Sequence, residues 1–171
     1  MLATDIGQPS QAARSLHQAH GVADRIRYER IDATRIPYRG EFQIVLFKSV
    51  LGAIGRVGGQ RLQAQAVNEM YQALSPGGEL FFAENLVGSS LHRFCRKHFV
   101  RWGNTWRYVS IREMLEFLAP FSAVYYSTIG FAGAFGRTEA QRNVLGMIDR
   151  VLFNRAIPAS WRYIIIGLAR K

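Results

Sequence analysis

Short apolar runs alternate with helical patterns along this chain, and that alternation constrains the fold more than any other feature. Glu41 to Phe47 (EFQIVLF) is a β-branched and aromatic run, short enough for a buried parallel strand. Gly59 to Leu74 follows a glycine-rich turn and carries Leu62, Ala66, Met70 and Leu74 on one stripe. Ser75-Pro76-Gly77-Gly78 ends that helix, and Glu79 to Glu84 (ELFFAE) is the next strand. Ser110 with Glu113 makes a capping box for a helix to Leu118, stopped by Pro120, and Phe121 to Ile129 is a strand. Thr138 with Gln141 opens a further helix to about Phe153, and Trp161 to Ala169 closes the chain as a strand.

The same alternation holds at the start. Leu2 to Ile6 reads as the end of a short buried strand, and Pro9 suits the first turn of a helix carrying Ala12, Ala13, Leu16 and Ala19. Gly21 fits the position after that helix, and a second strand spans roughly Arg25 to Ile31. Only 85–109 resists assignment. Strands alternating with helices predict a parallel, doubly wound α/β sheet in one domain over 1–171. Ligands in such sheets bind beyond the carboxyl ends of the strands. The strands here end in polar or small residues: Asp5, Asp32, Lys48-Ser49 and Glu84-Asn85.

Composition narrows the classes of function. An apolar fraction of 49% with 20% charged residues is globular and excludes a disordered scaffold. The single cysteine, Cys95, excludes an internal disulfide. No signal peptide or membrane-spanning run is visible, so the expected location is cytoplasmic. Twenty-two Lys and Arg against twelve Asp and Glu give a net charge of +10, which attracts phosphate, nucleic acid or anionic lipid.

Taken in order, Asp5, Asp32-Ala33, the Phe42 to Ser49 run and Leu74-Ser75-Pro76-Gly77-Gly78 resemble the class I S-adenosylmethionine-dependent methyltransferases from their second strand onward. The resemblance covers nearly the whole chain. It implies a Rossmann-like, mostly parallel sheet with an antiparallel last strand, and S-adenosyl-L-methionine as cofactor. By this resemblance Asp5 holds the ribose hydroxyls, Ile6 packs on the adenine, and Asp32 and Ala33 flank it. Phe47, Lys48 and Ser49 open onto the cofactor. The family's first strand and its glycine-rich loop are not in the sequence, so the sheet is expected to be N-terminally incomplete. That strand lies centrally in the family, and its loss leaves two strands without a hydrogen-bonding neighbour.

Lys48 departs from the Asp/Asn-Pro-Pro-aromatic motif of amine-methylating nucleic-acid enzymes. FKSVLGAIGR, ENLVGSSLHRF and RWGNTWRY instead look like small-molecule methyltransferases of glycan or secondary-metabolite pathways. The expected acceptor is therefore a small molecule or glycan. Glu84 is the leading candidate to accept or orient an acceptor proton, with His92 second and Asn85 on the substrate side; a salt bridge to nearby arginines is the plainer role for Glu84.

From Asn85 to Arg112 there are six Lys or Arg and no acid, interleaved with Phe94, Phe99, Trp102, Trp106 and Tyr108. Segment 86–109 is expected to form a lid, with Trp102, Asn104 and Trp106 touching substrate. Peripheral membrane contact through this segment is a weaker expectation, and nucleic acid a still weaker one. His92, Cys95 and His98 are spaced three apart, but three cations interleave them; the pattern reads as a basic face, not a metal site. Two rival readings remain: a non-catalytic, truncated methyltransferase-like remnant, and a nucleic-acid-binding module built on 92–112.

Overall fold

The computed structural model describes residues 1–7, 10–99 and 105–171. Strand β1 (Leu2–Asp5) leads to α1 (Gln11–Ala19), whose N-terminus is capped by Ser10, and then to β2 (Arg27–Arg30). Pro9 lies outside the described residues. Next come β3 (Phe42–Lys48), α2 (Leu51–Ala73), β4 (Leu74–Asn85) and α3 (Ser90–Phe99). The chain finishes with α4 (Ile111–Phe117), β5 (Ala123–Ile129), α5 (Glu139–Ile148), a π-turn over Asp149–Phe153, and β6 (Ile164–Arg170).

The two capping boxes form as their spacing predicts, each with side-chain and backbone groups bonded reciprocally over three residues. Helix α2 starts earlier than the stripe predicts. Its glycine-rich opening, read as a turn, is helical from Leu51, and Gly59 alone leaves helical geometry at φ 62°. A small residue is needed at Gly52, because a Cβ there would lie 2.7 Å from Trp106 Cε3.

The strands form two sheets. In the larger, the order is β3-β4-β6-β5, with β3 parallel to β4 and β6 antiparallel to both its neighbours. In the smaller, β1 and β2 pair in parallel from Leu2↔Arg27 to Asp5↔Arg30. No strand among the described residues joins the two sheets, and β1 and β3 each pair along one edge only.

Register decides which side chains are covered. Phe47 is level with Phe82, and Leu80 with Ala169, so these face the same way as Glu84 and Ile165. That face is buried under α2 and α4 through Ala66, Val67, Met70, Met114 and Phe117. Leu46, Phe81, Leu168 and Tyr125 form a row on the opposite face. No helix among the described residues covers it, and it lines a broad depression of about 640 Å³. The first segment is tied to this core beyond β2: Glu69 accepts the Ile36 N–H at 3.1 Å, and Gln65 donates to the Thr34 carbonyl at 2.9 Å.

Candidate functional site

The strand ends place several expected residues in turns that leave polar atoms outward. Asp5 Oδ1 accepts the Gly7 N–H at 2.8 Å, and Ile6 beside it is exposed. Asp32 Oδ1 accepts from both the N–H and the hydroxyl of Thr34 at 2.8 Å. The Thr34 N–H is the chief reason the Asp32 carboxyl sits below its ordinary value, so it is held ionised and oriented. Ala33 packs on the core.

At the end of β3, Ser49 has φ 55°, the one non-glycine residue with positive φ among those described. Such strain persists only where the surroundings over-determine it. Here the Ser49 N–H donates to the Ala83 carbonyl at 2.8 Å, and Asn85 Nδ2 donates to Ser49 Oγ at 3.0 Å. Lys48 is exposed and lies on the uncovered sheet face with Ala83. Phe47, expected to open onto the cofactor, is buried at 5% exposure, and its ring stacks on Phe82 at 6.3 Å. Strand alternation turns it into the core, so its backbone alone faces the strand end.

Glu84 is 1% exposed. Its Oε2 accepts the Leu51 N–H at 2.7 Å and its Oε1 accepts the Asn85 N–H at 2.8 Å. Burial pushes its carboxyl upward, and backbone N–H groups from Asn85, Leu51, Val50 and Gly52 pull it partly back. In place of a base facing an acceptor, this carboxylate caps the positive N-terminus of α2. No arginine among the described residues pairs with it.

His92 is buried as well. A carbonyl accepts only, so the 2.9 Å contact from Nε2 to Phe131 O makes Nε2 the protonated nitrogen. Nδ1 then accepts from Ser89, whose Oγ is 2.8 Å away. The ring stacks on Phe135 at 4.9 Å. Burial lowers its basicity. Both nitrogens are thus committed to the protein, an arrangement that locks α3 to the loop after β5 and leaves no proton to exchange with an acceptor.

The basic segment is partly structural. Arg96 Nη1 donates to the Leu86 and Val87 carbonyls, both at 2.8 Å, and its guanidinium lies over Tyr108. Arg107 pairs with Glu113 and Gln63. Leu86 and Val109 bridge, so the 86–109 segment leaves and rejoins the body at one point. Trp106 rests on Gly52 at the start of α2. Trp102 and Asn104 lie outside the described residues. His98 meets the Phe94 ring in a tilted contact at 4.6 Å, while His92 is buried.

Two polar anchors were not legible in the sequence. Gln63 is fully buried in α2 and donates to the Leu51 and Arg107 carbonyls at 2.8 and 2.9 Å. Asp149 is buried and accepts the Ala132 and Gly133 N–H groups at 2.7 and 2.8 Å. Asp149 interrupts an apolar helical run, which was the only available signal.

No protein-family model matches the chain, and no curated protein matches it. Solved structures do. The [4+2]-cyclase SpnF superimposes with a TM-score of 0.60 at 17% identity, covering 99% of this chain and 65% of its own. Geranyl diphosphate C-methyltransferase from Streptomyces coelicolor, crystallised with Mg2+, geranyl diphosphate and S-adenosyl-L-homocysteine, gives 0.60 at 13%, covering 99% and 62%. The 1,6-didemethyltoxoflavin-N1-methyltransferase from Burkholderia thailandensis, with its namesake ligand and S-adenosylhomocysteine, gives 0.58 at 15%, covering 99% and 60%. The chain therefore spans less than two thirds of each of these proteins. The likeness shows a Rossmann-like, methyltransferase-type fold.

Proposed function

We propose that this fold binds S-adenosyl-L-methionine at the carboxyl ends of β1, β2 and β3 and serves methyl transfer to a small-molecule or glycan-type acceptor. The observation that carries the reading is the set of strand-end turns: Asp5 and Asp32 oriented by their own backbone, and Ser49 held at positive φ by Asn85. Asp5 Oδ1 is occupied by Gly7, and Oδ2 has no hydrogen bond among the described residues, so a ribose hydroxyl has an acceptor there. The adenosine half of the cofactor fits these residues. The methionine half has no such partner: β1 and β3 each pair along one edge only among the described residues, and no described strand joins the two sheets.

The cofactor supplies a methyl group already activated by its sulfonium charge. The work left to this chain is orientation and exclusion of water. Asn85 is the polar group at the β4 end suited to orient an acceptor, and Ser49, which it holds, faces the cofactor side. Glu84 and His92, committed to backbone partners, hold the site's walls.

The unpaired edges favour a second reading, in which the chain alone is non-catalytic and needs a strand between β1 and β3. Calorimetric titration with S-adenosylhomocysteine separates the two. Binding that Asp5→Ala weakens at least about tenfold supports the cofactor site. A folded sample that takes up no ligand supports the non-catalytic reading.

A further inference from the structure

Helix α5 and the π-turn after it present an apolar stripe that nothing among the described residues covers. Val144, Met147 and Val151 are 59%, 66% and 67% exposed, and Ile148 and Leu152 are exposed beside them. Residues 144, 147, 148 and 151 follow the spacing of one helix face. Single exposed apolar side chains are ordinary, but a contiguous stripe of this length marks a contact surface. The π-turn contributes to it. Asp149 is drawn inward to the Ala132 and Gly133 N–H groups, and the widened turn leaves Val151 and Leu152 outside.

The charge around the stripe is of one sign. Arg137, Arg150 and Arg155 are exposed along this segment, Glu139 is its one exposed acid, and Arg142 turns back to donate from Nε to the Gly136 carbonyl at 3.2 Å. The other acid, Asp149, is buried, and the Arg162 guanidinium turns onto the Thr128 and Ile157 carbonyls.

We propose that this face docks on the surface of an anionic lipid bilayer. The apolar side chains enter the boundary between headgroups and acyl chains, and the arginines meet lipid phosphates. A second copy of the chain is a poorer occupant, because it would set arginine against arginine on a protein already at +10. Nucleic acid would satisfy the arginines and leave the stripe wet. The docking is independent of methyl transfer and stands or falls separately from it.

The test is co-sedimentation of the full chain with vesicles of phosphatidylcholine alone and of phosphatidylcholine mixed with phosphatidylserine. Pelleting with the mixed vesicles only, weakened by salt, is expected. Met147→Asp with Val151→Asp, and separately Arg150→Gln with Arg155→Gln, should each lower partitioning about tenfold or more. All four side chains are exposed, and circular dichroism checks that the variants keep the fold. Equal pelleting with both vesicle types, or none, overturns the proposal. So does a loss produced by Phe94→Asp with Phe99→Asp in α3 while the α5 variants bind normally. A dimer in solution that Met147→Asp dissociates would assign the stripe to a second copy instead.

Discussion

The carboxylate of Glu84, at the end of β4, accepts a 2.7 Å hydrogen bond from the backbone N–H of Leu51, the first residue of α2. One side chain thus fastens a strand end to the start of a helix 33 residues earlier. Glu84→Ala leaves the Leu51 and Asn85 N–H groups without their acceptor in a buried place, at a cost of about 3 kcal/mol. Glu84→Gln, which keeps one acceptor oxygen, should cost about 1–2 kcal/mol. Urea unfolding of both variants checks the order. Two variants as stable as the parent would show that the cap contributes nothing.

The pH dependence of that contribution has a defined sign. Burial raises the folded carboxyl above its ordinary 4.5, so folding favours the protonated form. The stabilisation is present below 4.5 and is lost as pH rises through the folded value. The stability gap between the parent and Glu84→Gln should therefore narrow as pH rises from 4.5. A widening gap would mean that the backbone N–H groups outweigh burial.

His92 has the opposite dependence. Burial depresses its folded value below 6.5, so the neutral ring is favoured in the fold. Its contribution is present above 6.5 and is lost as pH falls through the folded value. Melting temperatures followed downward from 6.5 should fall more steeply for the parent than for His92→Phe. Parallel curves would remove His92 from the acid-sensitive groups.

Ser49 is strained and, in our reading, functional. Ser49→Gly relieves positive φ and should stabilise the fold by up to about 1 kcal/mol, net of the added freedom of glycine when unfolded. It also removes the Asn85 contact at 3.0 Å and should weaken S-adenosylhomocysteine binding. Higher stability with unchanged affinity would make the strain structural.

Asp149→Ala deprives two buried N–H groups of their acceptor and should cost about 3 kcal/mol, with Asp149→Asn intermediate. Equilibrium unfolding measures both. If alanine costs no more than asparagine, the clamp on Ala132 and Gly133 is not what holds the turn.

Interactions closed within three or four residues were legible directly. The boxes at Ser110–Glu113 and Thr138–Gln141 depend on atoms that sequence spacing already brings together. Strand and helix order was legible for a similar reason, since periodicity follows from backbone geometry. The opening of α2 was not, because Gly52 is there for Trp106, 54 positions later, and not for a turn.

By itself the sequence determined the strand and helix order outside 85–109, the two capping boxes, and the position of the polar strand ends. Only the tertiary structure decided which way each side chain works. Alternation along β3 says that Leu46 and Phe47 face opposite sides; helices α2 and α4 choose Phe47 as the buried one. A carboxylate at a strand end reads as a base until a distant helix terminus is brought to it, as Leu51 is to Glu84. A histidine reads as a proton carrier until both nitrogens find Phe131 and Ser89. The physical reason is common to all three. Buried polar groups take whatever partners the fold delivers, and those partners lie too far along the chain for local spacing to name them.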